Sequence, residues 1–213
     1  MRPYHLVQRS ALLVLCLALH ACALLQAPPE APQDLPRAKA WNEQIPLKYK
    51  DFFAPDPNAN LVTSRETLTL IDPEKIRAEA LARINALRAS GCLCGTHYFP
   101  SVAPLKWNEK LYLAAAAHSI DIAQSNVVSH QSLDGSTPGE RMRAVGYRFS
   151  VIGENITAGQ SSIADAIHAW KESPFHCEQM MQAEIEEMGL AWVQKRDSFF
   201  RHYWTLDLGK AAP

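Results

Sequence analysis

The 213-residue sequence contains no HExxH, no GxSxG and no P-loop. No motif with a mechanism of its own therefore points to a zinc peptidase, an α/β-hydrolase or a nucleotide-binding enzyme. An excess of charge is also lacking. Lys and Arg number 21 against 22 Asp and Glu, with no basic cluster to neutralise a run of phosphates, which excludes a nucleic-acid binder. The apolar run Ala11–Leu19 is only nine residues long, against about 20 for a membrane-spanning helix. With 20% charged and 47% hydrophobic residues, the chain as a whole does not have the composition of a disordered protein. Its length suits one domain with an appendage.

What is present is unevenly distributed. Arg2 and Arg9 accompany a start with no acidic residue before Glu30, and the Ala11–Leu19 run follows. This is the pattern of an export signal over residues 1–21. Leu19-His20-Ala21-Cys22 resembles a lipoprotein box, with Cys22 as the acylated first mature residue; His20 departs from the small residue usual there. The alternative is Ala21-Cys22-Ala23, a small-x-small site that releases a soluble secreted or periplasmic protein. We prefer the lipoprotein, because a Cys closing such an apolar run is otherwise unusual. Eight of the 14 prolines lie between residues 28 and 73, so residues 22–71 read as a stiff, extended tether. Within it, Trp41, Ile45, Leu47, Tyr49, Phe52 and Phe53 are too apolar for a plain spacer. Residues 41–53 are expected to pack on the domain, or else to form a recognition segment.

The globular part is expected over residues 72–210. Asp72-Pro73-Glu74 is a helix start, with Ile76, Ala80, Ile84 and Leu87 on one stripe and a stop before Gly91. A second helix is predicted from Asn108 to Gln124. A third begins at the Thr137-Pro138-Gly139-Glu140 capping box and stops at Gly146. A fourth, Ser162 to Glu172, is broken by Ser173-Pro174, which opens a further turn or helix to Met181. Ser150–Thr157, Gly189–Gln194 and His202–Leu208 read as strands. Helices followed by late strands indicate an α+β fold, with helices covering an antiparallel sheet.

Cys16 lies in the signal and Cys22 at its processing site, leaving Cys92, Cys94 and Cys177. In an oxidising compartment Cys177 is expected to pair with one of the other two. The rival is a thiolate metal site built from Cys92-x-Cys94-x-x-His97 and His176-Cys177. Among the other chemistry-bearing residues, His130, Glu154 and His176 supply two imidazoles and a carboxylate, a natural set for a divalent metal.

The run AAAAHSIDIAQSNVVSH, then DGSTPGERMRAVGY, GENITAG, WKESPFHC and MGLAW…YWTLDLG, resembles the bacterial branch of the CAP superfamily. This is the SCP-like domain of cysteine-rich secretory proteins, antigen 5 and plant pathogenesis-related-1 proteins. The resemblance spans roughly residues 76–209 and implies an α-β-α sandwich. It further implies a cleft lined by His and Glu that takes zinc or another divalent metal. By motif, His130 and Glu154 match the family's first His and its GEN glutamate. Ser173, Pro174 and His176 match a bacterial Ser-Pro-x-His. Glu172 stands one position from the expected helix glutamate, and His202 matches the family's strand histidine only if an extra Trp is absorbed. Asn155 is expected to bond backbone beside the cleft. Arg141 is expected to tie the third helix to the loops, and His118 to be a satisfied core histidine. The family pattern also favours Cys94–Cys177, leaving Cys92 over.

These readings describe an envelope-anchored, non-enzymatic binding module. Its partners would be the membrane, through Cys22, and a small, lipidic or cell-wall ligand in the metal-binding cleft. One alternative is a metal-assisted hydrolase of cell-wall peptides or proteins, with Glu154 as general base. Another is an adhesion or interaction module that leaves the cleft unused.

Overall fold

The computed structural model describes residues 68–213; the expected export signal, Cys22 and residues 41–53 lie outside them. The chain runs β1 (Leu68–Leu70), a 3-10 turn (Pro73–Lys75), α1 (Arg77–Ser90), β2 (Cys92–Cys94), β3 (His97–Phe99), β4 (Lys106–Trp107), α2 (Glu109–Ser125), α3 (Pro138–Ala144), β5 (Phe149–Ala158), α4 (Ile163–Glu172), α5 (Pro174–Met181), β6 (Glu187–Lys195) and β7 (His202–Ala211). The main sheet has the order β1-β6-β7-β5, antiparallel throughout, and β4 adds a short parallel pairing to β6. Helices cover both faces, giving the expected α+β sandwich.

Local signals explain most helix starts. The Asn108 side chain accepts from the amides of Lys110 and Leu111, and the Ser162 hydroxyl accepts from Asp165. Glu140 reaches back to the Thr137 amide at 2.8 Å, so the third helix begins where its capping box lies. The first helix differs from expectation. Asp72 caps only a 3-10 turn, and α1 proper starts after Ile76. Gly91, at φ 67°, ends α1 in a conformation that strongly favours glycine.

The sheet divides the core. On one face Trp204, Leu206, Leu208 and Leu190 pack with Ile76, Ala80, Ile84, Ile167 and Trp170 of the α1–α4 side. On the other, Ala191, Val193 and Tyr203 pack against α2 and α3. The four alanines 114–117 bring α2 close to the sheet. At the tightest point a Cβ on Gly189 would lie 2.0 Å from the Tyr112 amide nitrogen, so only glycine fits there. Arg88 is fully buried and donates to the carbonyls of Ala103, Met180, Gln182 and Ile185. It binds α1 to the chain leading into β6.

Three details lay beyond the sequence patterns. Leu68–Leu70 pairs with β6, so the folded unit takes in residues otherwise read as tether. Cys92–Cys94 and His97–Phe99 form a hairpin, and β4 is a two-residue strand. All are too short for periodicity to register.

Candidate functional site

β5 is an edge strand of the main sheet, and Glu154 sits midway along it, directly opposite Asp207 of β7. Strand alternation puts both side chains on the α2–α3 face. Glu154 is 4% exposed. Its Oε1 accepts from His130 Nδ1 at 2.7 Å, and its Oε2 pairs with the guanidinium of Arg141. His118 of α2 lies behind them, fully buried, with Nε2 3.8 Å from Glu154 Oε1.

The loop carrying His130 is held from beneath. Arg141 of α3 donates through Nη1 to the carbonyls of His130 and Ser136 and to the Ser132 hydroxyl. His118 donates from Nε2 to the Ser129 carbonyl at 2.8 Å, and its Nδ1 meets the Ser132 hydroxyl at 3.2 Å. One guanidinium thus organises both the loop and the carboxylate, while His118 is a bonded core histidine one step behind the site. The His130 side chain is left 47% exposed.

His176 lies on α5, on the other side of the edge strand. Asn155, the neighbour of Glu154 that points to that face, donates to the His176 carbonyl at 2.9 Å. Burial lowers the pKa of His176, and the charge of His130 adds a smaller effect in the same direction. Ser173 is the N-cap position of α5. Two expected residues are not brought to this group. Glu172 is an exposed residue at the end of α4, where it pairs with Lys171. His202 begins β7 on the same face as Trp204 and Leu206, opposite to Asp207 and Glu154. There its Nδ1 accepts from Trp192 Nε1 at 3.2 Å. The reason is parity: positions 202 and 207 of one strand cannot share a face. A cavity of about 330 Å³ lined by Gln194, Arg196, Arg201 and His202 opens there, away from Glu154.

The electrostatics separate the two facing carboxyls. Burial pushes the Glu154 carboxyl up, but the His130 hydrogen bond, His118 and Arg141 together hold it below its ordinary value. Asp207 has no such support. It is wholly buried, and burial, followed by the charge of Glu154 and a side-chain hydrogen bond to it, drives its pKa well up. Glu154 is the ionised member and Asp207 the neutral one. Burial also lowers His118 to about 4, against the pull of Glu154, so it is neutral at pH 7. The sequence reading passed over Asp207. Its signal was an acid inside the apolar alternation Leu206-Asp207-Leu208.

Among the described residues, the set His130, Glu154 and His176 does not bring three ligand atoms within 4.8 Å of one another, as Cys92, Cys94 and Cys177 do. A carboxylate on Nδ1 fixes the tautomer of His130 so that Nε2 is the ring nitrogen available to a ligand, an arrangement common behind metal-binding histidines. Both Glu154 oxygens are engaged, so in this arrangement His130 and His176 would hold the ion and Glu154 would orient His130.

A sequence model of the family described as "CAP: Cysteine-rich secretory protein family" matches residues 81–208. The chain belongs to the CAP family. It is 30% identical over 91 residues to "Uncharacterized protein YkwD" of Bacillus subtilis (strain 168). That match covers 43% of this chain and 35% of the relative, about a third of the relative's length. Among solved structures the CAP domain is similar to an outer surface protein from Borrelia burgdorferi, with a TM-score of 0.57 at 20% identity, covering 67% of this chain and 98% of that one. It is also similar to an extracellular protein containing a SCP domain from Bacillus anthracis, with a TM-score of 0.49 at 22% identity, covering 66% and 44%. At its identity, the Borrelia likeness is one of fold.

Proposed function

We propose that this CAP-domain chain is an exported, membrane-anchored binding module. Its cleft would hold a divalent metal, zinc among them, between His130 and His176, together with a small or lipidic ligand. The observation that carries the reading is the buried Glu154, whose oxygens meet the Arg141 guanidinium and the half-exposed His130. So much desolvated charge committed to aiming one exposed imidazole is costly as mere structure. The bound metal would supply a Lewis-acidic centre for an oxygen or nitrogen donor of the ligand.

Exposed apolar side chains on α5 and on the hairpin that packs against it support a lipidic ligand. Leu93 and Tyr98 face each other across the β2–β3 hairpin and are 58% and 61% exposed. Phe175, beside His176, is exposed as well. Export is supported by the residue 1–21 pattern and by the secretory character in the family's description. Anchoring rests on Cys22, and among the described residues no helix is long and apolar enough to cross a membrane.

The hydrolase reading asks Glu154 to act as general base. With one oxygen on Arg141, the other on His130, and a depressed pKa, it is a weak acceptor for a proton. Binding is therefore favoured over turnover. Calorimetric titration with zinc tests the cleft: the protein should bind one equivalent, and His130→Ala or His176→Ala should lose it. Unchanged binding in the double variant sinks the assignment.

A further inference from the structure

The Cys94–Cys177 disulfide joins the β2–β3 hairpin to α5, and Cys92 lies beside it. Cys92 Sγ is 3.6 Å from Cys177 Sγ and 3.8 Å from Cys94 Sγ. All three sulfurs are buried and lie within 4.8 Å of one another. The arrangement follows from the fold. Strand alternation puts residues 92 and 94 on one face of the hairpin, and the first turn of α5 sets Cys177 against that face, among Leu87, Phe99, Val102 and Met181.

The shape of this triangle matters. Two nearly equal distances put Cys92 Sγ beside the disulfide bond instead of along its axis. Thiol–disulfide exchange proceeds by attack on one sulfur with departure of the other, which an in-line approach serves and this flanking position does not. The same position suits shared coordination. Zn–S bonds of about 2.3 Å place two sulfurs of a tetrahedral site about 3.8 Å apart. Cys92 already stands at that separation from both partners, and only Cys94 and Cys177 need to part.

We propose that Cys92, Cys94 and Cys177 form a second, redox-gated site for a thiophilic ion of the zinc or copper(I) class, available when the disulfide is reduced. A dithiol reductant supplies the two electrons. Its thiols become a disulfide, the Cys94–Cys177 bond breaks, and the two protons pass to Cys94 and Cys177. The ion then binds three thiolates, and the three thiol protons leave to solvent. The reverse exchange with a disulfide oxidant, which takes the two electrons and two protons and becomes a dithiol, re-forms Cys94–Cys177, releases the ion and closes the site. This lies outside the His130–His176 cleft and does not depend on it.

The test uses the full chain carrying Cys16→Ser and Cys22→Ser, so that the three clustered cysteines are its only thiols. After reduction with a phosphine, which adds no competing thiol, the protein is titrated anaerobically with cobalt(II). Absorption is read at the sulfur-to-cobalt charge-transfer band, which His and Glu ligands do not produce. One equivalent should give the band, zinc should displace it, and the oxidised protein should lack it. Cys92→Ser retains the disulfide, so its fold can be checked oxidised by circular dichroism. Once reduced, it should bind at least about 100-fold more weakly, beyond the 10–100-fold cost typical of losing a merely supporting group. Should reduction itself unfold the chain, one equivalent of metal should restore the near-ultraviolet signal. Absence of the band, a band equally strong in Cys92→Ser, or failure of metal to restore an unfolded chain overturns the proposal.

Discussion

Replacing Asp207 by Asn should make the protein more stable at neutral pH. Asp207 is fully buried and faces the ionised Glu154 across β5 and β7, with a side-chain hydrogen bond to it. Burial first, and the charge of Glu154 second, raise its pKa well above the ordinary value. The folded chain therefore keeps a proton that the unfolded chain surrenders above about pH 3.9. Stability is lost as pH rises from there toward the folded pKa, by about 1.4 kcal/mol per pH unit for this one group. Asn copies the neutral acid in size and does not titrate. The difference between variant and wild type should be near zero around pH 4, then grow in the variant's favour by about 1.4 kcal/mol per unit. It should level off once the folded pKa is passed. Urea unfolding at half-unit steps from pH 4 to 8 reads this directly, with an unchanged m-value as the control for two-state behaviour. Taking the difference cancels groups common to both proteins. A difference that stays flat, or a variant that loses ground as pH rises, would refute the protonated Asp207 and the charge assignment of the whole site.

Two further outcomes follow from the same packing. His118, lowered to about 4, must stay neutral in the fold while the unfolded chain protonates it near 6.5. Acidification through that window should therefore remove roughly 3 kcal/mol of stability. His118→Gln, followed by the same urea series, should lack that limb. Gly189→Ala would drive a methyl into the α2 backbone at Tyr112. It should cost more than about 4 kcal/mol, or prevent folding, by thermal melt; a loss under about 1 kcal/mol would mean that α2 does not lie so close.

Much of the fold was legible because its signals are local. Asn108, Ser162 and the Thr137–Glu140 box cap helices within three residues of themselves, and the apolar stripe Ile76-Ala80-Ile84 needs only one helix to be read. The site was half legible. His130, Glu154 and His176 stood out by motif, whereas Arg141 was expected only to tie the third helix to the loops. His202 and Glu172 were drawn in by motif position, yet one points to the wrong face of β7 and the other into solvent. Asp207 was missed because an acid in a strand gains meaning only from the residue registered opposite.

By itself, then, the sequence determined the class of fold, the starts of α2, α3 and α4, and the family. These depend on spacing along the chain. The tertiary structure alone decided which carboxyl is charged, that Arg141 serves both loop and Glu154, and that Cys92 lies within reach of both disulfide sulfurs. Such facts depend on pairing register and burial, which join residues 118, 130, 141, 154 and 207 from separate elements. Ionisation in a desolvated site is set by the nearest charges, and nearness here comes from long-range packing.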